Sequence, residues 1–221
     1  MACLRRLVCR YTSHMPEAQA VSFIAKFEAE LDAAEAQCPP GTVTVMLCDG
    51  ARPIWNCVAH NERFADYETL VNYYHTIEPL ALVSQALFGD GSEEAAAWYD
   101  KYAARLLEHD HAVQSILHSM AYYAKSRKRS KGRTRALQTQ RTFFLRNHSK
   151  MHYASFRRRG LAIGSGPIEA ACKSLVKTRL CRSGMRWSRQ GGQHILDLHT
   201  YVKSNRWDYF WAHYKQRRQG A

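Results

Sequence analysis

Thr42 to Gly50 reads TVTVMLCDG, and the class of the fold turns on it. From Thr42 to Cys48 every residue is β-branched, apolar or a thiol, the composition of a strand buried on both faces. Pro39-Pro40-Gly41 before it and Asp49-Gly50 after it bound the strand with turn residues. An otherwise helical chain thereby becomes α/β (α+β), and Asp49 falls just past the carboxyl end of a buried strand, where open α/β sheets bind ligands. An Asp before Gly is equally a common turn pair, and both readings stay open here.

Working outward, Met15-Pro16-Glu17 opens a helix expected to run to about Gln37, with Val21, Ile24, Phe27 and Leu31 at helical spacing. That stripe is expected to pack on a sheet. Residues 3–12 alternate apolar and basic side chains, the pattern of a short strand. Downstream, a short helix is expected over Ile54 to His60 and a second strand over Glu68 to Tyr73.

From His75 the pattern is helical. Ile77, Leu80 and Leu82 begin one helix, and Gly89-Asp90-Gly91-Ser92 breaks it. Ser92 then caps a helix with Trp98, Tyr102, Leu106 and Leu107 on its apolar side. Val113, Ile116, Leu117 and Met120 mark another. The expected organisation is therefore residues 1–74 as a partial α/β core, 75–160 as an all-helical insertion and 161–221 as a closing helix with helical C-terminus, predominantly helical overall.

Charge is unevenly spread. Residues 1–110 hold 8 Lys/Arg and 16 Asp/Glu, whereas residues 111–221 hold 24 and 3. A second half so basic implies a polyanionic partner. The segment Lys125 to Arg135, KSRKRSKGRTR, has seven cations in eleven residues and no large apolar side chain. We read Lys125, Arg127, Lys128, Arg129, Lys131, Arg133 and Arg135 as phosphate-neutralising rather than as a solvated loop. Arg157, Arg158 and Arg159 form a second cluster beside Tyr153 and Phe156.

No apolar run reaches the length needed to span a bilayer, and residues 1–10 lack the apolar segment of a secretory signal, so a cytoplasmic, nucleoid-associated protein is expected. Seven cysteines, at 3, 9, 38, 48, 57, 172 and 181, lie in no close pair. Reduced, buried thiols are expected in preference to structural zinc.

Ile163 to Trp187, IGSGPIEAACKSLVKTRLCRSGMRW, carries one carboxylate among cations. Gly164-Ser165-Gly166 permits a tight turn, Pro167 suits the first helical position, and Glu169 falls in the first turn. Ile168, Cys172, Leu175 and Val176 are the expected buried face. Glu169, Lys173 and Lys177, spaced by four, line up on the opposite face, with Arg182 following. After a helix bearing Ile195, Leu196, Leu198 and Val202, the tail RWDYFWAHYKQRRQG interleaves aromatic and basic side chains. Such a tail is either a docking face of a terminal helix or a surface that stacks nucleic-acid bases.

The order MPE, helix, strand, CDGARPIWN, NYYHTIEPL, helical insertion, GSGPIEAACKSLVKTRLCRSGMRW and SNRWDYFW resembles the insertion-sequence transposases of the ISKra group. These are DDE enzymes with an RNase H-like catalytic core, related in mechanism to Mutator-type transposases. The resemblance runs from about residue 11 to residue 214.

It implies DNA transposition by two-metal phosphodiester cleavage and strand transfer. Asp49 would be the second and Glu169 the third acidic ligand, holding two Mg²⁺ (or Mn²⁺) ions about 3.5 to 4 Å apart. It also implies DNA partners, both element ends and target, and a homo-oligomer on DNA. The family's first acidic ligand lies upstream of the segment represented by residues 4–12, so the resemblance implies an N-terminally truncated enzyme, inactive alone. A non-catalytic DNA-binding remnant or regulator of a full-length relative is the alternative. Two departures stand out: His14 where relatives often carry Arg, and Asn72 where they often carry Asp.

Overall fold

The computed structural model describes residues 9–17, 20–126 and 130–219. The chain is predominantly helical, about 70% helix, with a two-stranded parallel sheet among the described residues. It divides into two compact units, residues 43–165 and the combination of 1–42 with 166–221.

The contiguous unit begins with β1 (Val45–Cys48), followed by α2 (Arg52–His60) and β2 (Glu68–Val71). Here α1 is reserved for the helix Val21–Glu35 of the other unit. The strands pair in parallel with Val45 opposite Glu68 and Cys48 opposite Val71. Asn72 extends the ladder by donating its N–H to the Cys48 carbonyl at 2.7 Å. The expected strand over residues 42–48 is shortened to Val45–Cys48, and it is half-buried rather than buried. With β2 as its one strand neighbour among the described residues, β1 keeps an open side.

Helices α3 (Tyr73–Phe88), α4 (Glu93–Glu108), α5 (Ala112–Ser126), α6 (Lys131–Asn147) and α7 (Tyr153–Arg158) complete this unit. Ser92 caps α4 by accepting the Ala95 N–H at 3.1 Å, as its position predicts. Trp98, Tyr102 and Leu106 of α4 are buried, and so are Val113, Ile116 and Met120 of α5. Leu82 is exposed, and α3 buries Leu80, Val83 and Leu87.

These residues share one core with Leu70 and Val71 of β2, Phe144 of α6 and Tyr153 of α7. That common core explains why no boundary falls at residue 74: β2 and α3 bury their side chains together. At its centre the Tyr153 and Thr76 hydroxyls meet at 2.6 Å. Burial raises the Tyr153 pKa, so this phenol stays protonated. Gly160, in left-handed geometry, closes α7 as Gly160 N–H meets the Arg157 carbonyl and Leu161 N–H the Phe156 carbonyl.

The other unit contains α1, α8 (Gly166–Cys172), a π-helical turn (Lys173–Lys177), α9 (Thr178–Leu180), α10 (Arg189–Lys203) and α11 (Trp207–Gln219). Residues 9–17 run without helix or strand, so the expected early strand is absent from its described part; residues 1–8 lie outside the described residues. α1 forms over Val21–Glu35, shorter than expected and with Glu17 outside it, and it buries no side chain. It is tied to α10 and to the chain entering α11 through polar groups instead. Lys26 pairs with Asp197. Glu30 accepts Arg10 at 2.8 Å and Arg206 at 2.6 Å.

The Met15-Pro16-Glu17 stretch packs on α10. Met15 N–H donates to Gln193 Oε1 at 2.8 Å, and a Cβ on Gly192 would stand 3.0 Å from the Met15 sulfur. Glu17 in turn accepts the Phe23 N–H of α1 at 2.9 Å. α10 ends in a Schellman turn: Asn205 is left-handed, its N–H reaches the Val202 carbonyl, and the Arg206 N–H reaches the Tyr201 carbonyl. Its buried side is Gly192, Leu196 and Thr200, whereas Val202 is exposed.

Candidate functional site

Parallel pairing puts Asp49 and Asn72 side by side, each one residue beyond the register pair Cys48 and Val71. Asp49 is half-buried and its Oδ1 accepts the Ala51 N–H at 2.9 Å, a turn that starts α2. The turn role and the carboxyl-end position therefore coexist in one residue. Gly50 has a steric cause: a Cβ there would stand 2.2 Å from the Phe143 ring. Burial, and secondarily the Asp49 charge, push the Cys48 thiol up to about 11, so it is no nucleophile at neutral pH.

Asn72 is buried and caps α3, its Oδ1 accepting the Tyr74 N–H at 3.0 Å. Its Nδ2 donates to Ser165 Oγ. The backbone follows suit, with Tyr73 N–H on the Ile163 carbonyl at 2.9 Å. Loop 163–165 is thus stitched to the end of β2. Gly164 passes so close to Tyr74 that a Cβ would sit 2.7 Å from the ring. The amide at position 72 donates to Ser165 and accepts from Tyr74 at once, so both of its polar atoms are used in the fold. Sequence reading noted Asn72 only as a missing charge; the helix-capping signal of Asn before a helical run could have identified this role.

Glu169 belongs to the other unit, exposed in α8. Lys173 and Lys177 are also exposed, at the two ends of the π-helical turn. The buried face differs from expectation. Leu175 is buried as expected and Val176 half-buried, but Ala171 is buried while Ile168 and Cys172 are exposed. Wider winding over Lys173–Lys177 changes the phase of the helix, which a 3.6-residue period does not anticipate. Arg182 is exposed in the following loop.

The predicted DNA-binding cations fall into distinct settings. Arg127, Lys128 and Arg129 lie outside the described residues. Lys125 ends α5, while Lys131, Arg133 and Arg135 lie in the opening turns of α6, which Ser130 caps by accepting the Arg133 N–H. This part of the basic segment is helical. Arg133 Nε donates to the Ala86 carbonyl near the end of α3 at 3.0 Å.

Arg157 Nη1 donates to the Leu107 carbonyl at 3.3 Å and Arg158 Nη2 to Asp110 at 2.7 Å. Arg159 makes a two-pronged pair with Glu68, one contact at 2.6 Å, which holds that carboxyl below its ordinary range. All three are therefore occupied in joining α7 to α4 and β2.

Among the described residues no three His, Cys, Asp or Glu side chains come together as metal ligands. Cys9, Cys38, Cys57, Cys172 and Cys181 are exposed and Cys48 half-buried, which corrects the expectation of buried thiols. No described helix is long and apolar enough to cross a membrane. Compared with protein-family models, with curated proteins and with solved structures, the chain matches none of them, so its functional reading rests on its own residues.

Proposed function

We propose that the chain acts on DNA as a transposase-type protein with a DDE, RNase H-like ancestry, in which Asp49 and Glu169 correspond to metal-binding carboxylates. The observation that carries this reading is the position of Asp49 beside Asn72 at the carboxyl end of two parallel strands. The basic second half supplies the complementary charge for DNA. A homo-oligomer on DNA, recognition of element ends and target, and a nucleoid location belong to the same proposal.

The donor set does not by itself fit two Mg²⁺ or Mn²⁺ ions. A metal pair beside a phosphodiester takes several hard anionic oxygens. Asp49 offers one carboxylate already engaged with Ala51, and Asn72 and Ser165 beside it are neutral. The function proposed for this chain in isolation is accordingly DNA binding without metal-dependent cutting, the property of a non-catalytic remnant or regulator.

Equilibrium binding to duplex DNA across a salt series tests this. Affinity is expected to fall by orders of magnitude between about 50 and 200 mM salt if six or more phosphates are neutralised. Asp49→Ala is expected to leave that affinity unchanged. Salt-independent binding, or no binding, would contradict the proposal.

A further inference from the structure

α11 is aromatic from Trp207 to Tyr214, yet it buries none of its side chains. Tyr209 is 51% exposed and Tyr214 41%. These rings form an ordered series: Phe210 lies nearly parallel to Trp207 at 5.4 Å and to Tyr214 at 6.1 Å, and Tyr201 of α10 approaches Phe210 at 5.3 Å. An aromatic helix packed only for stability would turn these faces inward.

The rings border a cavity of about 660 Å³ contained within the unit of residues 1–42 and 166–221. Its walls include Tyr201, Tyr209, Phe210 and Tyr214, together with Arg217 and Thr12. The two carboxylates that line it, Glu30 and Asp197, are neutralised by Arg10, Arg206 and Lys26. Arg206 also lies over Tyr201 at 5.5 Å and Tyr209 at 5.3 Å, while Arg218 covers Tyr214 at 5.5 Å. The Thr12 hydroxyl is buried without a hydrogen-bond partner among the described residues.

We propose that this cleft binds unpaired nucleotides of a single nucleic-acid strand. Tyr209 and Tyr214 contact bases through their exposed parts, and Arg217 meets a phosphate. Planar rings beside cations suit a base and its phosphate together. An aliphatic partner would strip water from Arg217 without replacing it, and an acidic peptide would leave the ring faces unmatched. The inference rests on the nucleic-acid reading above, but it assigns a separate surface and a different strand state.

Fluorescence anisotropy of a labelled oligothymidylate and of a duplex of equal length, with the whole chain, tests it. The Tyr209→Ala/Tyr214→Ala variant alters two exposed rings, and circular dichroism checks that it folds. It is expected to lose single-strand affinity by about tenfold or more while duplex affinity stays within about twofold, with Tyr209→Phe/Tyr214→Phe retaining the wild-type value. Unchanged single-strand binding in the alanine variant would overturn the inference. Duplex binding without any single-strand binding would overturn it too and leave the DNA-binding proposal standing. Failure to bind either nucleic acid would sink both.

Discussion

Residues 43–165 and the paired segments 1–42 and 166–221 both hold helices in place, but by opposite means. The first unit buries Leu70, Leu80, Leu106, Ile116, Phe144 and Tyr153 almost completely in one apolar cluster. In the second, α1 and α11 bury no side chain, and the connections run through Glu17, Lys26, Glu30, Gln193 and Asp197. Apolar burial is non-directional and insensitive to salt, whereas partly exposed ion pairs weaken with salt and with protonation. The comparison teaches where each kind of function belongs. The end of a parallel strand pair positions Asp49 and Asn72, and a unit joined by polar contacts leaves aromatic side chains of α11 partly exposed.

The sharpest way to break this contrast is to hollow the apolar cluster. Phe144→Ala is expected to cost about 3–5 kcal/mol and to lower the urea midpoint of the contiguous unit strongly. Glu30→Gln, which removes the charge shared by Arg10 and Arg206, is expected to cost only about 1–2 kcal/mol, discounted for its partial exposure. Equal effects from the two variants would erase the distinction.

Two glycines sharpen it further. Gly50→Ala drives a methyl into the Phe143 ring and is expected to cost about 1–3 kcal/mol. Gly192→Ala meets only the flexible end of Met15 and is expected to cost less than about 1 kcal/mol. Thermal melts of both variants give the ordering directly, and a reversed order would show that the ring, not the thioether, yields.

Acid provides the gentlest probe. Burial pushes Glu30 upward, but hydrogen bonds and charges from Arg206 and Arg10 outweigh it and hold the carboxyl below its ordinary value of 4.5. Its folded pKa is depressed, so its stabilisation is full above about 4.5 and is lost as pH falls through the folded value. Amide hydrogen exchange is therefore expected to rise first in α1 and α10 as pH drops below that point, with α4 and α5 still protected. Loss of protection in α4 before α1 would count against the account.

How far the sequence disclosed these features depended on the range of the interactions. Ser92 and the stripe Trp98, Tyr102, Leu106 are local signals, and α4 forms on them as expected. β1 and β2 were both visible as strands in the sequence, but their parallel pairing as a two-stranded sheet among the described residues was not. Helix 166–180 was misjudged at Ile168 and Cys172 because the π-helical turn changes the winding. The arginine clusters were legible as charge and illegible as contacts: Arg158 meets Asp110 and Arg159 meets Glu68 across long sequence separations. Gly50 and Asn72 likewise take their meaning from Phe143 and Ser165, which no local pattern connects to them.

On the reading proposed above, this chain engages DNA while its described carboxylates do not complete a cutting centre. Incubating it with supercoiled plasmid and Mg²⁺ or Mn²⁺, while measuring binding in the same samples, tests that claim most directly. Salt-sensitive binding with the plasmid left intact is the predicted result. Metal-dependent nicking that disappears in Glu169→Ala would contradict it.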